Sequence, residues 1–213
     1  CLNLCLIIAA CTTPNPEFGS TNGQGLTPIT NSNFDQLLIR TDTDFKQYQR
    51  IKVEPPIVSY KKHTSADLGI YRQQDFQFDE AELKTFNEQF IKAFGQQWQQ
   101  RFGWQVTDES GEDVLVVKTE ISDLYLYASI KNDKPMRSTT IVNESSKMTI
   151  KLQLFDNSGQ LLVDSLGDKT TGQIGSGVNT MTRVSSVRYW NDCYQAFRQW
   201  ASLLAGQISA SQP

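Results

Sequence analysis

The segment "MTIKLQLFDNSGQLLVDSL", residues 148–166, decides the fold of this chain. Its first half alternates apolar side chains with threonine, lysine and glutamine, which predicts a strand with one buried and one solvated face. Residues 156–159 have the composition of a tight turn, so residues 161–166 are predicted to return as the hairpin partner. The buried face of this hairpin needs a second layer of structure to cover it.

Two amphipathic helices are predicted to supply that layer. The first begins at Asp79, where Glu82 completes a capping-box pattern and Phe78 is placed to form a hydrophobic staple with Leu83, and it ends near Gly103. Spacings of three and four give it one apolar stripe, made of Leu83, Phe86, Phe90, Phe94 and Trp98. The second helix is predicted over residues 186–205, with an apolar face made of Trp190, Cys193, Tyr194, Phe197, Ala201 and Leu204.

Two further strands complete the predicted sheet. One runs over residues 51–60 and is interrupted by Pro55 and Pro56, which predicts an edge strand or a break. The other covers residues 114–121, with a continuation towards Leu126. A right-handed crossover through the first helix follows if these two strands are parallel neighbours. The sequence therefore predicts an α+β, two-layer domain in which a mixed four-stranded sheet carries two amphipathic helices on one face.

Composition excludes several classes of function. The chain has 213 residues, enough for one domain and a tail, and its net charge of −3 offers no positive field for nucleic acid. It contains no run of about 20 apolar residues that could span a bilayer. The loop "GQIGSG", residues 172–177, neither opens a helix directly nor brings a lysine, so we interpret it as a flexible connection. We expect no cofactor, no metal and no nucleic-acid partner.

The start of the chain has the pattern of a secretion signal. An uncharged apolar run precedes Cys11 and is typical of a signal peptide, here truncated at its start. The stretch Ile8, Ala9, Ala10, Cys11 resembles the lipobox of bacterial lipoproteins. That resemblance implies signal-peptidase recognition of the first three residues, cleavage before Cys11 and lipidation of Cys11 by acyl chains such as palmitate. The alternative is that Cys11 ends an ordinary signal or lies in a buried strand.

The lipobox also implies an address and a domain plan. Thr12 follows the cysteine where an aspartate would favour the inner membrane, so we expect an outer-membrane anchor facing the periplasm. Residues 1–10 are then the signal peptide and residues 11–33, rich in Thr, Asn, Gly and Pro, a flexible tether of about 25 Å mean span. Residues 34–208 form the domain, and residues 209–213 a disordered tail.

Three segments in order resemble a bacterial lipoprotein family of Gram-negative envelopes, catalogued as domain of unknown function 3313. They are "YQRIKVEPPIV" at residues 48–58, "LFDNSGQLLVDSLGD" at residues 154–168 and "FRQWASLL" at residues 197–204. The resemblance covers residues 34–208. It implies a lipid-anchored periplasmic setting and transfers no catalytic residue.

Few residues suggest chemistry. The single histidine, His63, has Ser65 and Asp67 nearby, but neighbours in sequence do not make a catalytic triad, and we expect an exposed loop histidine. The acidic cluster "DESGED", residues 108–113, lacks the spacing of a calcium loop and reads as a solvated turn. Cys193 lies on the apolar side of its helix and is expected to be a core residue.

The candidate binding surface is aromatic and basic. Tyr125 and Tyr127 share one strand face, and Lys131, Lys134 and Arg137 follow on the next stretch. The tyrosines either form a binding surface or pack at the sheet edge or under a loop. The three basic residues are either solvated or dock an anionic partner.

The leading hypothesis is a non-catalytic, lipid-anchored binding or assembly module of the bacterial cell envelope. Its partners would be the membrane, through Cys11, and an envelope protein or a second copy of the chain. The alternative hypothesis is an envelope hydrolase that acts on glycans or peptides with carboxylates brought together by folding. A third is a secreted ligand-binding domain without a lipid.

Overall fold

The computed structural model describes residues 17–68, 71–130, 141–142, 144–171, 182–183 and 185–211. The helices are α1 (Ser65–Leu68), α2 (Glu80–Phe102) and α3 (Ser186–Ala210), with short 3-10 turns at Phe45–Gln47 and Gln73–Phe76. The strands are β1 (Glu17–Phe18), β2 (Thr27–Thr30), β3 (Gln36–Ile39), β4 (Arg50–Val53), β5 (Ile57–Tyr60), β6 (Gln105–Val106), β7 (Val114–Leu126), β8 (Ile141–Val142), β9 (Ser146–Phe155), β10 (Leu161–Thr171) and β11 (Thr182–Arg183).

The fold is mixed α+β, as predicted, but its sheet is larger than the four strands expected. Among the described residues, nine strands form one sheet in the order β1-β2-β3-β10-β9-β7-β4-β6, with β5 also paired to β7, while β8 and β11 pair separately. The unpredicted strands of this sheet are only two to four residues long. Strands of that length are too short to show an alternating pattern in the sequence.

The N-terminal strands lie in the segment predicted to be a flexible tether. Within residues 17–33, Leu26 and Ile29 are buried, and β2 pairs with β3. The Arg40 guanidinium links this segment to the start of β10. Its Nε donates to Leu161 O at 3.3 Å, and a terminal amino group donates to Gln24 O. The packed structure therefore begins before Phe34, and the polar composition of this segment reflects its many turn residues.

The predicted hairpin and the proline break are both confirmed. Strands β9 and β10 pair antiparallel, and Gly159 closes their turn in the left-handed region at φ 85°. The interrupted first strand forms β4 and β5, which both pair in parallel with β7. Pro55 and Pro56 separate the two because a proline has no N–H to donate to the ladder.

The start of α2 has the predicted capping box. Asp79 Oδ1 accepts from Glu82 N at 2.9 Å, and Glu82 Oε2 accepts from Asp79 N at 2.9 Å. Phe78, placed to form the hydrophobic staple, packs with Phe86 at 5.0 Å between ring centroids. The helix ends at Gly103 with φ 77°, a conformation that glycine adopts without strain.

Helix α3 is longer than predicted and buries more aromatic surface. It continues to Ala210, into the segment expected to be a disordered tail. Tyr189 and Trp200 are fully buried, whereas the predicted face residues Trp190 and Tyr194 are only partly buried. Trp200 lies against β10 at Gly167, where a Cβ would come within 2.9 Å of the indole, so a glycine is required for this contact.

The two long helices pack on each other and on the same face of the sheet. Trp98 of α2 donates from Nε1 to Ala201 O of α3 at 2.9 Å in the buried interior. On β9, the side chains facing the helices are buried, and their neighbours on the opposite face are partly exposed. The buried set consists of Ser146, Met148, Ile150, Leu152 and Leu154. Within the described part of the chain, no helix is both long and apolar enough to cross a membrane.

Replacing Asp79 should show how much the capping box contributes to stability. We expect Asp79→Ala to lower the free energy of unfolding by about 1 kcal/mol, because two backbone N–H groups at the start of α2 lose or loosen their partners. Urea denaturation followed by circular dichroism measures the change. Asp42→Ala, at an exposed position, is the matched control and should stay within about 0.5 kcal/mol of the parent. Equal effects of the two substitutions would contradict the capping assignment.

Candidate functional site

A cleft opens on the sheet face opposite the long helices, where β7, β9 and β10 meet the segment after β5. Its volume is about 530 Å³, within the usual range for small-ligand sites. The floor includes side chains of the sheet, and one wall is formed by residues 61–67. Its lining includes Tyr125, Tyr127, Lys61, Lys62, Asp67 and Lys147. Both tyrosines of the predicted binding surface therefore line one cavity.

A bulge in β7 places the tyrosines there. Asp123 has φ 53°, and the pairing of β7 with β9 shifts between Ser122 and Tyr125. Before the bulge the odd-numbered positions, such as Ile121, face the helices, and after it the even-numbered ones do. Because one inserted residue exchanges the two faces of a strand, Tyr125 points to the open face instead of into the core. The sequence carries a sign of this inversion, because the apolar positions change from odd numbers at Val117 and Ile121 to even numbers at Leu124.

Tyr125 is one member of a stack of three rings. The His63 ring lies between Phe76 and Tyr125, with centroid distances of 4.1 and 4.0 Å. Tyr127 approaches Tyr125 edge to face at 5.1 Å. The expectation of an exposed loop histidine is wrong, because His63 is only 9% exposed. Its burial follows from the flat ring faces that cover both of its sides.

The hydrogen bonds of His63 define its tautomer. Nε2 lies 2.8 Å from Leu126 O, which can only accept, so Nε2 carries the proton. The Gln73 side chain accepts from His63 N through Oε1 at 2.9 Å and directs its Nε2 towards Nδ1 at 3.5 Å. The imidazole therefore ties the segment after β5 to the end of β7. This role is structural.

The three residues His63, Ser65 and Asp67 do not form a catalytic triad. Asp67 Oδ2 accepts from Thr64 N at 3.0 Å and from Thr64 Oγ1 at 2.7 Å. These bonds, with a smaller contribution from the Tyr125 hydroxyl, lower the pKa of Asp67. In a triad the carboxylate accepts from the histidine ring, whereas the two ring nitrogens of His63 face Leu126 O and the Gln73 side chain.

The cleft also holds charged groups of both signs. Asp168 accepts from Thr149 Oγ1 at 2.6 Å and lies 3.7 Å from Lys147 Nζ. The side chains of Lys61, Lys62 and Asp123 make no hydrogen bond or ion pair within the described part of the chain, although Lys61 N donates to Leu124 O at 3.1 Å. Burial, and then the Asp67 carboxylate, raise the pKa of Tyr125, so its phenol stays protonated at neutral pH. Nothing in the sequence pattern singles out Lys61 and Lys62, because a paired lysine is usually only a solvated surface feature.

Several of the predicted site residues lie outside the part of the chain that the structure describes. The lipobox residues Ile8, Ala9, Ala10 and Cys11 lie outside the described residues. So do Lys131, Lys134 and Arg137 of the candidate binding surface, and the loop at residues 172–177. No cluster of three or more His, Cys, Asp or Glu residues that could hold a metal occurs among the residues given a structure.

The acidic turn and the free cysteine have structural roles. Arg50 donates to Asp113 through Nε at 2.9 Å and a terminal nitrogen at 2.7 Å, and to Glu109 at 2.9 Å. The residues 108–113 are thus partly an ion-pair network and not only a solvated turn, and the Arg50 bonds lower the pKa of Asp113. Cys193 is fully buried, as predicted, and burial raises the pKa of its thiol to about 12.

Replacing His63 should separate its hydrogen bond from its stacking. We expect His63→Phe to lower the free energy of unfolding by about 1–3 kcal/mol, because the ring stack survives while buried Leu126 O loses its donor. Urea denaturation measures this change. In the parent, ¹⁵N NMR at pH 8 should find the imidazole proton on Nε2. A proton on Nδ1, or a His63→Phe variant as stable as the parent, would contradict the assigned contact.

Comparisons with known proteins leave the family of this chain open. No family model matches it, and no curated protein matches it. Among solved structures, it is similar to a PelC dodecamer from Paraburkholderia phytofirmans, with 9% identity and a TM-score of 0.37 over 74% of this chain and 88% of that one. A point variant of the same PelC gives 11% identity and a TM-score of 0.36 over 75% and 88%. Similarity this weak carries no argument about function.

Proposed function

We propose that this protein is a lipid-anchored lipoprotein of the bacterial cell envelope that binds another envelope component through the cleft at Tyr125 and Tyr127. The anchor is Cys11, and the domain faces the periplasm from the outer membrane. The protein performs no chemistry on its partner. The single observation that carries the binding role is the cleft itself, with the fixed ring of Tyr125 in its lining.

The geometry suits binding because its aromatic side chain is held before a ligand arrives. The Tyr125 ring packs on His63. Its hydroxyl interacts with the Asp67 carboxylate, and burial, together with this interaction, raises the pKa of Tyr125. A rigid aromatic side chain loses little conformational entropy when a ligand packs on it. Tyr127 is 40% exposed and offers a second ring surface that a partner can cover. Tyrosines are enriched at interfaces for this combination of apolar ring and polar hydroxyl.

The anchor is tested by the mass of the mature N-terminus. We expect protein purified from its native host to begin at Cys11 and to carry acyl chains on that residue, because each buried methylene contributes about 0.8 kcal/mol to membrane binding. Mass spectrometry of the N-terminal peptide measures this directly, with Cys11→Ser as the control that should lose both the lipid and membrane association. An unmodified Cys11 in the native protein would remove the anchor from the proposal.

The cleft is tested by a photo-crosslinking amino acid introduced at residue 127 in living cells. We expect it to form a specific adduct with an envelope component, because Tyr127 lies at the mouth of the cleft and is accessible. The matched control is the same amino acid at Val187, which is 79% exposed on α3. Adducts should be identified by mass spectrometry and confirmed by reciprocal purification. The same adducts from both positions, or none from residue 127, would count against the cleft as the binding site.

A further inference from the structure

We propose that the cleft recognises a short acidic peptide segment of a partner protein, with two carboxylates, one ammonium group and an apolar side chain between them. This proposal rests on the proposed function and names the ligand of the same site. The chemistry of the ligand is inferred from two sets of charged side chains in the cleft. One set already has partners among the described residues, and the other has none.

Two carboxylates of the cleft already have partners within the chain. Asp67 accepts two hydrogen bonds from Thr64, and Asp168 accepts one from Thr149 and lies close to Lys147. The Asp67 bonds come from neutral groups, which hold the carboxylate in place without cancelling its charge, whereas the Asp168 charge is partly offset by Lys147. The acceptor sites of both carboxylates are therefore partly occupied by groups of the chain.

The charged side chains of the cleft that lack a partner among the described residues are two ammonium groups and one carboxylate. Lys61 and Lys62 are adjacent in sequence and exposed, and neither makes an ion pair with another described residue. The Asp123 side chain likewise makes no ion pair with another described residue, and its backbone lies in the left-handed region at the bulge. A ligand that satisfies all three groups carries two negative charges and one positive charge. A peptide with two acidic residues and one lysine has that combination.

The aromatic part of the cleft accounts for the apolar side chain. Tyr125 is fixed by its stack on His63, and Tyr127 lies next to it at 5.1 Å. An aliphatic side chain of the ligand can cover these rings while the flanking charges set its direction. Exposed charge pairs each contribute little, so the apolar contact supplies affinity and the charges supply specificity.

Binding of defined tetrapeptides to the full chain carrying Cys11→Ser tests the proposal. The probes are the capped peptides Glu-Leu-Glu-Lys, Gln-Leu-Gln-Lys and Lys-Leu-Lys-Glu, titrated into ¹⁵N-labelled protein. We expect the acidic peptide to shift the backbone signals of Tyr125 and Tyr127 with a dissociation constant of about 1 mM or below, and the other two to bind about tenfold more weakly. Raising the salt from 50 to 500 mM should weaken the acidic peptide most.

Charge-reversal variants locate the interaction. Lys61→Glu combined with Lys62→Glu should lower affinity for Glu-Leu-Glu-Lys about tenfold and raise affinity for Lys-Leu-Lys-Glu. The matched control is Lys46→Glu with Lys84→Glu, which reverses two exposed lysines away from the cleft and should change neither affinity. Asp123→Asn keeps a residue that tolerates the left-handed backbone and should remove only the preference for lysine over norleucine at the last ligand position.

The outcomes separate this proposal from the proposed function. Equal binding of all three peptides, absence of binding, or no effect of the lysine reversals would overturn the acidic ligand. If residue 127 still crosslinks specifically in cells, the cleft remains a binding site for a ligand of different chemistry. Self-association of the parent that the lysine reversals abolish would make a second copy of the chain the occupant and would likewise overturn a foreign partner.

Discussion

Strand β7 sets the architecture because it places alternate side chains beneath the helices and joins both halves of the sheet. It pairs in parallel with β4 and β5 on one side and antiparallel with β9 on the other. The extra residue at Asp123 exchanges its two faces near the end. Leu124 and Leu126 thereby stay in the core while Tyr125 turns towards the open face. The extra residue at Asp123 therefore lets β7 contribute side chains both to the core and to the cleft.

The helical layer is held by large aromatic side chains at fixed positions. Phe86 and Phe90 of α2 each meet Phe197 of α3 edge to face at 5.1 Å, and Trp98 adds a hydrogen bond to the α3 backbone. Edge-to-face contacts contribute about 0.5–1.5 kcal/mol each beyond the burial of their area. This stiff layer fixes the sheet from one side. The opposite face is therefore free to carry polar and charged groups without a cost in core packing.

The cleft keeps its shape because buried residues hold the Tyr125 ring in place. His63 bonds to the carbonyl of Leu126, and its ring carries Tyr125. Phe76 closes the other side of the imidazole. A binding group is held to a useful precision only when the residues behind it are themselves locked by packing and hydrogen bonds. The single histidine of this chain therefore fixes the ring of a tyrosine that lines the cleft.

The amino-acid sequence by itself determined the local elements: the β9–β10 hairpin, the capping box at Asp79, the proline break and the pairing of tyrosines at residues 125 and 127. Each is encoded by residues close in sequence, through periodicity, side-chain caps or missing donors. Only the tertiary structure decided the nine-stranded sheet, the burial of His63 and the grouping of Lys61, Lys62 and Asp123 with the tyrosines. Those features join residues far apart in sequence, such as His63 and Leu126, which are 63 positions apart, and patterns of neighbouring residues do not specify which distant segments meet.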